Sequence, residues 1–399
     1  MTDSHQLQLM IERMSLLSHY QGTDELIQYI REEMKDSPME RIPFGRYMEL
    51  CLYHPQTGYY MRDRPKIGKE GDFYTSSNLG SMMGEMLAAK IAHIIEEKFH
   101  MGDNQRVRIV EWGAGTGRLG LQILDTLEIK YPEIYSRILY TIVEQSEYHR
   151  LQSQHHFHNA EKQAEWWTDA QFYERNDQNP VIVIANELLD AFPVERVKYS
   201  SMERDWGALE QQYVIWDAEL ESFVTQWGKA APEVEDYVHR YVLEQGLQLR
   251  VQQELEINLG ALAWIRGMAA AIHQGYCIII DYGDQTKELS AAHRMKGTLI
   301  CYHRHLAHDN PYMNVGDQDI TAHVDFTVLE REAVESGFAR VFYGTQKHFL
   351  MEAGLLQQLQ EHYTTDPFDP IAKRNRAIRQ LLLSDQMSEL FKVWVGEIK

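Results

Sequence analysis

The stretch Arg106–Gly120, RVRIVEWGAGTGRLG, leaves the chain few folds to choose from. A short β-rich run, Val107, Ile109 and Val110, ends in Glu111, and three alternate glycines follow, Gly113, Gly115 and Gly117. Leu119, Leu121, Ile123 and Leu124 then recur at helical spacing. The pattern predicts strand, tight turn, helix. Glycine enters positive φ freely and lets a ligand approach the backbone. A helix N-terminus behind such a turn offers backbone N–H groups. A nucleotide-like cofactor suits that place.

Two cofactor loops fit the same residues. Gly115-x-Gly117-x-x-Gly120 matches the dinucleotide fingerprint. Read one turn earlier, Glu111-x-Gly113-x-Gly115-x-Gly117 matches the S-adenosylmethionine loop of class I methyltransferases. The rest of the chain arbitrates. Ile138–Glu144, ILYTIVE, is a second apolar run ending in an acid, the position that bonds ribose hydroxyls in nucleotide-binding α/β folds. Ala164–Trp167 reads as a third strand. Val181–Glu187, VIVIANE, is a buried strand followed by LLDAFPVE, which puts Asn186, Glu187 and Asp190 at a strand's carboxyl end, where open α/β sheets bind ligands. Tyr276–Gly283 and Gly297–His305 read as further strands, and ARVFYGTQKHFLM as a late antiparallel strand closing the sheet. Roughly seven strands alternating with helices make a doubly wound, Rossmann-like α/β sheet. The final hairpin-like pair suits a methyltransferase sheet better than a dehydrogenase sheet.

Around this core the chain divides into segments. Residues 1–105 read as a helical extension with a Gly-rich lid loop. Leu7–Leu17 and Leu26–Met34 have helical spacing, Ser37-Pro38-Met39-Glu40 has the capping-box pattern, and Phe44–Leu52 reads as a short buried helix. The lid, residues 66–84, carries Asp72 and Thr75 as small polar groups at a ligand edge, and the helix Glu85–Phe99 follows. Residues 106–195 and 246–350 form the two parts of the core. Between them, 196–245 alternates and carries aromatics, which predicts an inserted set of β-hairpins on the substrate or partner side. A long helix is expected over about Gln253–Ile272, a helix capped by Asp325 after it, and a helical tail over 351–399.

The net charge of −20 argues against a nucleic-acid surface spread over the protein and is compatible with a basic protein segment as partner. Three cysteines, Cys51, Cys277 and Cys301, form no CxxC pair and suit reduced thiols. The first residues lack a basic and apolar leader pattern, and no window is long and apolar enough to span a bilayer. The expectation is a cytoplasmic protein without membrane insertion. His303, His305 and His308, with His323 and Asp325, could be arranged as metal ligands. The expected chemistry needs no metal, and no metal is assigned.

The chain resembles the MidA-type family of class I S-adenosylmethionine-dependent methyltransferases, which includes mitochondrial complex I assembly methyltransferases. The resemblance is carried by IPFGRYMELCLYHPQTGYY, GDFYTSS, MMGEMLA, IVEWGAGTGRL, YTIVEQSEYHRLQ, ANELLDAFPV, IIIDYG, GTLICYHRHLAHDNPY and DITAHVDFT, from about residue 43 to 350. It implies a methyltransferase core, S-adenosyl-L-methionine as cofactor, and methyl transfer to an arginine of a protein substrate. By position it implies that Glu111, Gly113, Ala114, Gly115 and Gly117 cradle the methionine part of the cofactor. Glu144 would hold the ribose, and Asn186 and Glu187 would lie beside the transferred methyl. A guanidinium is a poor nucleophile, and carboxylates paired with it can orient one nitrogen. Glu187 and Asp190 are the residues for that role, with Asp72 or Asp325 as further candidates; Asp72 and Thr75 are also expected to bind the cofactor, and His323 and Asp325 the substrate. A homodimer is compatible with the insertion.

Two other classes share parts of the pattern. A NAD-dependent dehydrogenase would use Gly115, Gly117 and Gly120, but no separate His–Asp or Tyr–Lys pattern accompanies them. A non-catalytic assembly or chaperone protein could keep the fold, but the intact EWGAGTG loop argues for a working site.

Overall fold

A computed structural model of the chain describes residues 23–63, 66, 81–99, 102, 105–175, 177–201, 208–247, 249–361, 366, 369–383 and 389–399. The chain forms two compact units. The larger comprises Tyr74–Asp190, Ala261–Thr286 and His323–Lys399. Its sheet is built from β1 (Val107–Trp112), β2 (Ile138–Val143), β3 (Glu165–Trp167), β4 (Val181–Asn186), β5 (Gly275–Asp284), β6 (Ala339–Thr345) and β7 (Phe391–Ile398). The strand order is 3-2-1-4-5-7-6. The pairs β1–β2, β1–β4, β2–β3 and β4–β5 are parallel. Strand β7 runs antiparallel to both β5 and β6. A two-residue ribbon, Val324–Asp325, adds to the end of β5 at Gly283 and Asp284.

The apolar runs of β1, β4 and β5 explain why these strands are central. Every residue of Val107–Trp112, Val181–Ala185 and Gly275–Asp281 is buried, as parallel strands covered on both faces require. The helices α1 (Met82–Lys98), α2 (Arg118–Lys130), α3 (Glu147–Asn159), α4 (Leu259–Ala271), α5 (Phe326–Glu335) and α6 (Pro370–Leu383) accompany the sheet. One core cluster joins Met83, Leu87 and Ile91 of α1, Ile123 and Leu127 of α2, the sheet's Ile109, Ile142, Ile184, Ile280 and Val393, and Ile378 of α6. Strand order reverses between β1 and β4, the switch point at whose carboxyl ends open α/β sheets bind their ligands.

The tail differs from the helical expectation over its last residues. Pro370–Leu383 is a helix, but Phe391–Ile398, FKVWVGEI, is the strand inserted between β5 and β6. Its β-branched and aromatic residues suit a strand, and a short apolar run after a helix does not reveal its period. The run Gly297–His305 contributes only Ile300–His303 as strand, and that strand belongs to the other unit. β7 therefore takes the place it was expected to fill.

The second unit comprises Met1–Phe73, Ala191–Gly260 and Lys287–Ala322. It holds a five-stranded antiparallel sheet made of Ile42–Pro43, Glu195–Tyr199, Leu209–Asp217, Ser222–Lys229 and Leu255–Ile257. A three-stranded sheet of Ile300–His303, Leu306–His308 and Asp319–Thr321 lies in the same unit. The helix Phe44–Tyr53 buries Phe44, Tyr47, Met48, Cys51 and Leu52 in that unit's core. The helix expected from Gln253 begins only at Leu259. Leu255–Ile257 is strand instead, with the buried Arg196 bonded to Glu254 at 2.5 Å and to Glu256 at 3.2 Å. The capping box at Ser37 does not form. Met39 and Glu40 have φ of 62° and 50°, and the Ser37 hydroxyl donates to the Met34 and Arg41 carbonyls. The helical pattern at Leu7–Leu17 lies outside the described residues. Among the described residues no helix is long and apolar enough to cross a membrane.

Candidate active site

The turn after β1 carries three left-handed glycines, Gly113, Gly115 and Gly117, with φ of 68°, 55° and 73°. Gly113 N–H donates to the Val143 carbonyl at 2.8 Å, which docks the turn on β2. A Cβ on Gly113 would lie 2.7 Å from Leu188 Cδ1, and one on Gly117 would lie 2.9 Å from Phe157 Cε2. Both positions thus need glycine for close packing as well as for φ. Ala114 packs against the core cluster. Gly117 is the N-cap of α2 and brings no side chain to its N-terminus.

Glu144 follows β2 and turns its half-buried carboxylate to this loop. It accepts the Gly115 N–H at 2.9 Å and the Ser146 N–H at 2.9 Å. Burial pushes its pKa up to about 7, against the pull of these backbone donors. Desolvation disfavours an anion that lacks a compensating positive charge. Asp169, just past β3, has one carboxylate oxygen on Gln145 Nε2 at 3.1 Å, while Oδ1 is buried with no hydrogen-bond donor among the described residues.

Glu111, expected by resemblance at the methionine part of the cofactor, packs inward from the end of β1. Its carboxylate is buried under α2, where it accepts the Tyr140 hydroxyl at 2.8 Å and a bond from the Gly120 backbone. Burial pushes its pKa up to about 8. Through these bonds the group holds α2 against β2. Gly120 is a packing glycine of the same arrangement, since a Cβ there would lie 2.6 Å from both Glu111 Oε2 and Tyr140 Oη.

The turn after β4 carries Asn186, Glu187 and Asp190. Glu187 has φ of 54°, a left-handed backbone in a residue with a side chain. Its N–H donates to the Ile280 carbonyl at 2.8 Å. The next three N–H groups, of Leu188, Leu189 and Asp190, all donate to Asp281 Oδ2 at 3.1, 2.7 and 3.3 Å. Asn186 Nδ2 donates to Glu187 Oε1 at 3.2 Å, and Asn186 Oδ1 is buried with no hydrogen-bond donor among the described residues. Leu188, packed on Gly113, brings this turn beside the glycine loop.

Of the expected site residues, the structure brings together Gly113, Ala114, Gly115, Gly117 and Glu144 on one side and Asn186, Glu187 and Asp190 on the other. His323 precedes the ribbon at the carboxyl end of β5. Asp325 caps its helix as expected: its Oδ1 accepts the Thr327 and Val328 N–H groups at 3.1 Å and the Thr286 hydroxyl at 2.8 Å. Asp72 and Thr75 lie outside the described residues. Among the described residues no group of three His, Cys, Asp or Glu side chains is gathered as a metal site. Asp281 is visible in the sequence only as the acid ending the run Tyr276–Gly283, with no role attached, and Asp169 was not singled out. The signal was present, since each is an acid just where an apolar strand ends.

These residues fit a cofactor carrying a ribose and an amino-acid end. A carboxylate that burial disfavours, beside left-handed glycines, gains from hydroxyl donors, and the buried Oδ1 atoms of Asn186 and Asp169 can accept N–H or O–H groups. Known proteins agree with that geometry. Residues 86–344 match the family of S-adenosyl-L-methionine-dependent methyltransferases. The chain is 26% identical over 312 residues to a mitochondrial protein arginine methyltransferase, the NDUFAF7 homologue of Drosophila melanogaster, covering 74% of this chain and 67% of that protein. It is 25% identical over 336 residues to protein arginine methyltransferase NDUFAF7 of Mus musculus, covering 79% and 71%. A crystal structure of a methyltransferase-like protein from Burkholderia thailandensis bound to S-adenosyl-homocysteine superposes with a TM-score of 0.79 at 28% identity, over 94% of this chain and 92% of that one. The strand order with its antiparallel β7, the left-handed glycine loop and the matched family together show that the chain belongs to the MidA-type family of S-adenosyl-L-methionine-dependent methyltransferases.

Proposed function

We propose that the chain methylates an arginine of a protein substrate. Support comes from the relatives named as protein arginine methyltransferases. The observation that carries the reading is the acidic turn after β4, which Leu188 holds beside the glycine loop. Bound S-adenosyl-L-methionine would supply an electrophilic sulfonium methyl. The chain's own residues would bind, orient and exclude water. The backbone of Gly113–Gly117 and the carboxylate of Glu144 would hold the cofactor, with Asn186 Oδ1 accepting one of its donors.

Glu187 would accept N–H bonds from the guanidinium, orient one nitrogen, and take the proton that this nitrogen loses on methylation. Asp190 would add negative charge behind it. A guanidinium donates two parallel charge-assisted hydrogen bonds to a carboxylate, so an acidic turn discriminates arginine from neutral side chains. The three thiols, Cys51, Cys277 and Cys301, are buried and unpaired, which supports a reducing, cytoplasmic setting.

The test is Glu187→Gln, with labelled cofactor and the proteins of a lysate from cells lacking this chain, followed by amino-acid analysis for methylated arginine. Transfer should fall by about 10²–10³ while cofactor affinity is nearly kept, because the lost interaction serves the reacting nitrogen. Unchanged transfer would remove Glu187 from the mechanism. Label found on another residue type would remove arginine as the acceptor.

A further inference from the structure

Asp281 is the hub of the turn that carries Glu187 and Asp190. Its side chain is fully buried at the end of β5. Among the described residues its hydrogen-bond donors are four backbone amides: Leu188, Leu189 and Asp190 on Oδ2, and Tyr282 on Oδ1 at 2.8 Å. With the Glu187 N–H on the Ile280 carbonyl, four successive amides after β4 are held by two adjacent residues of β5. Strand β5 thereby dictates the shape of the turn. We propose that Asp281 is a positioning residue for methyl transfer, whose carboxylate fixes the Glu187–Asp190 turn in its reacting geometry.

The proposal rests on the reading that this turn meets the acceptor. Glu187 is held at φ 54°, a conformation that costs a side-chain-bearing residue and persists only where the surroundings over-determine it. Asp281 supplies that constraint from behind. A carboxylate can accept several amides at once on one oxygen, and a charge-assisted bond is stronger than a neutral one. An asparagine in the same place would keep one acceptor oxygen but turn an NH₂ toward either Tyr282 N–H or the three turn amides, donor against donor. A shift of about 1 Å at a reacting group is enough to cost roughly 10²-fold in rate. The glycine loop is anchored separately, on Val143 and Glu144, so the loss of Asp281 falls mainly on transfer and only slightly on cofactor affinity.

The experiment compares Asp281→Asn with Asp177→Asn. Asp177 holds the buried Arg108 at 2.5 Å, near the start of β1 at the other end of the strands. Its loss serves as a control for general destabilisation. Each variant is assayed for melting temperature, S-adenosyl-L-methionine affinity by calorimetry, and transfer of labelled methyl to arginine in the same lysate. Asp281→Asn should keep cofactor affinity within about threefold and lose transfer by about 30-fold or more, whereas Asp177→Asn keeps both within about threefold. Transfer by Asp281→Asn within threefold of wild type overturns the proposal, as does a loss in both variants that merely tracks melting temperature. If Asp281→Asn does not fold, hydrogen exchange on the wild type decides. The amides of Leu188, Leu189 and Asp190 should be as protected as those of Val183 and Ile184, and exchange at loop rates overturns the clamp. A wild type that binds the cofactor but labels no arginine would remove the proposed reaction, while the exchange result would still judge the clamp.

Discussion

Gly120→Ala sets two opposed effects against each other. Gly120 lies in the first turn of α2 with an ordinary helical backbone. On propensity alone, alanine should stabilise such a helix by about 1 kcal/mol. Packing says otherwise. The new Cβ would lie 2.6 Å from Glu111 Oε2, 2.6 Å from Tyr140 Oη and 2.9 Å from Tyr140 Cε1. Both side chains are buried and bonded to each other at 2.8 Å. Overpacking of this kind costs about 1–3 kcal/mol, and a buried hydrogen bond left unmade about 1–3 kcal/mol more. After the propensity gain, the net loss is about 1–5 kcal/mol, centred near 3. Urea unfolding should show a lower midpoint at an unchanged slope. Tyr140→Phe removes one of the two clashing oxygens, so the double variant should recover about 1 kcal/mol relative to the sum of the singles. A Gly120→Ala protein as stable as wild type would refute the packing argument. So would lost cofactor affinity at full stability, because that is the outcome expected if Gly120 faced a ligand phosphate.

Glu111 should make the protein less stable as pH rises. Its pKa is raised to about 8 from 4.5, so the folded state binds the proton more tightly. Stability is then highest below 4.5 and falls towards pH 8, by at most about 3 kcal/mol between pH 6 and 8. Glu111→Gln should flatten that slope in thermal melts, and an identical slope in both proteins would contradict the assignment. Glu85 has the opposite sign. Arg374 bonds it at 2.8 and 2.9 Å and, with Ser81 and Lys130, outweighs its burial and holds its pKa at about 2. Its stabilisation is present above pH 4.5 and lost as pH falls towards 2. Glu85→Gln at neutral pH should cost about 2 kcal/mol and lower hydrogen-exchange protection across Pro370–Leu383 first; uniform loss across the sheet would contradict a local clamp. Gly113→Ala puts a Cβ 2.7 Å from Leu188 Cδ1 at φ 68°. It should displace the turn after β4 and reduce transfer and cofactor affinity together, and transfer unchanged by calorimetrically verified protein would contradict the packing of the two turns.

The glycine loop was legible because its residues have no substitutes: positive φ at Gly113, Gly115 and Gly117 excludes most side chains. The apolar runs of β1, β4 and β5 were legible because strands buried on both faces leave no polar interruption. The acids at strand ends were visible as positions, but not in their orientation. Glu111 and Glu144 both end strands, yet one carboxylate turns inward to Tyr140 and the other to Gly115. Side-chain direction depends on what α2 covers, which no local spacing reports. Asp325 was legible as a helix cap, because an acid just before an apolar helical run is an N-cap signal, and its bonds from Thr327 and Val328 bear that out. Strand β7 escaped because a sheet can recruit a distant segment, and FKVWVGEI carries no period that separates strand from buried helix. Leu255–Ile257 became a strand through Glu254 and Glu256, whose partner Arg196 lies about sixty residues away in sequence.

The most direct measurement is titration of the protein with S-adenosyl-L-methionine, on wild type and on Gly115→Val. Gly115 holds φ of 55° with its N–H on Glu144. A β-branched residue is strained there and crowds the loop. Saturable binding of one equivalent to wild type, with affinity lost by at least about tenfold in a Gly115→Val protein that still melts cooperatively, is the result expected from a loop built for close backbone approach. Absence of binding to wild type, or equal affinity in the two proteins, would contradict it.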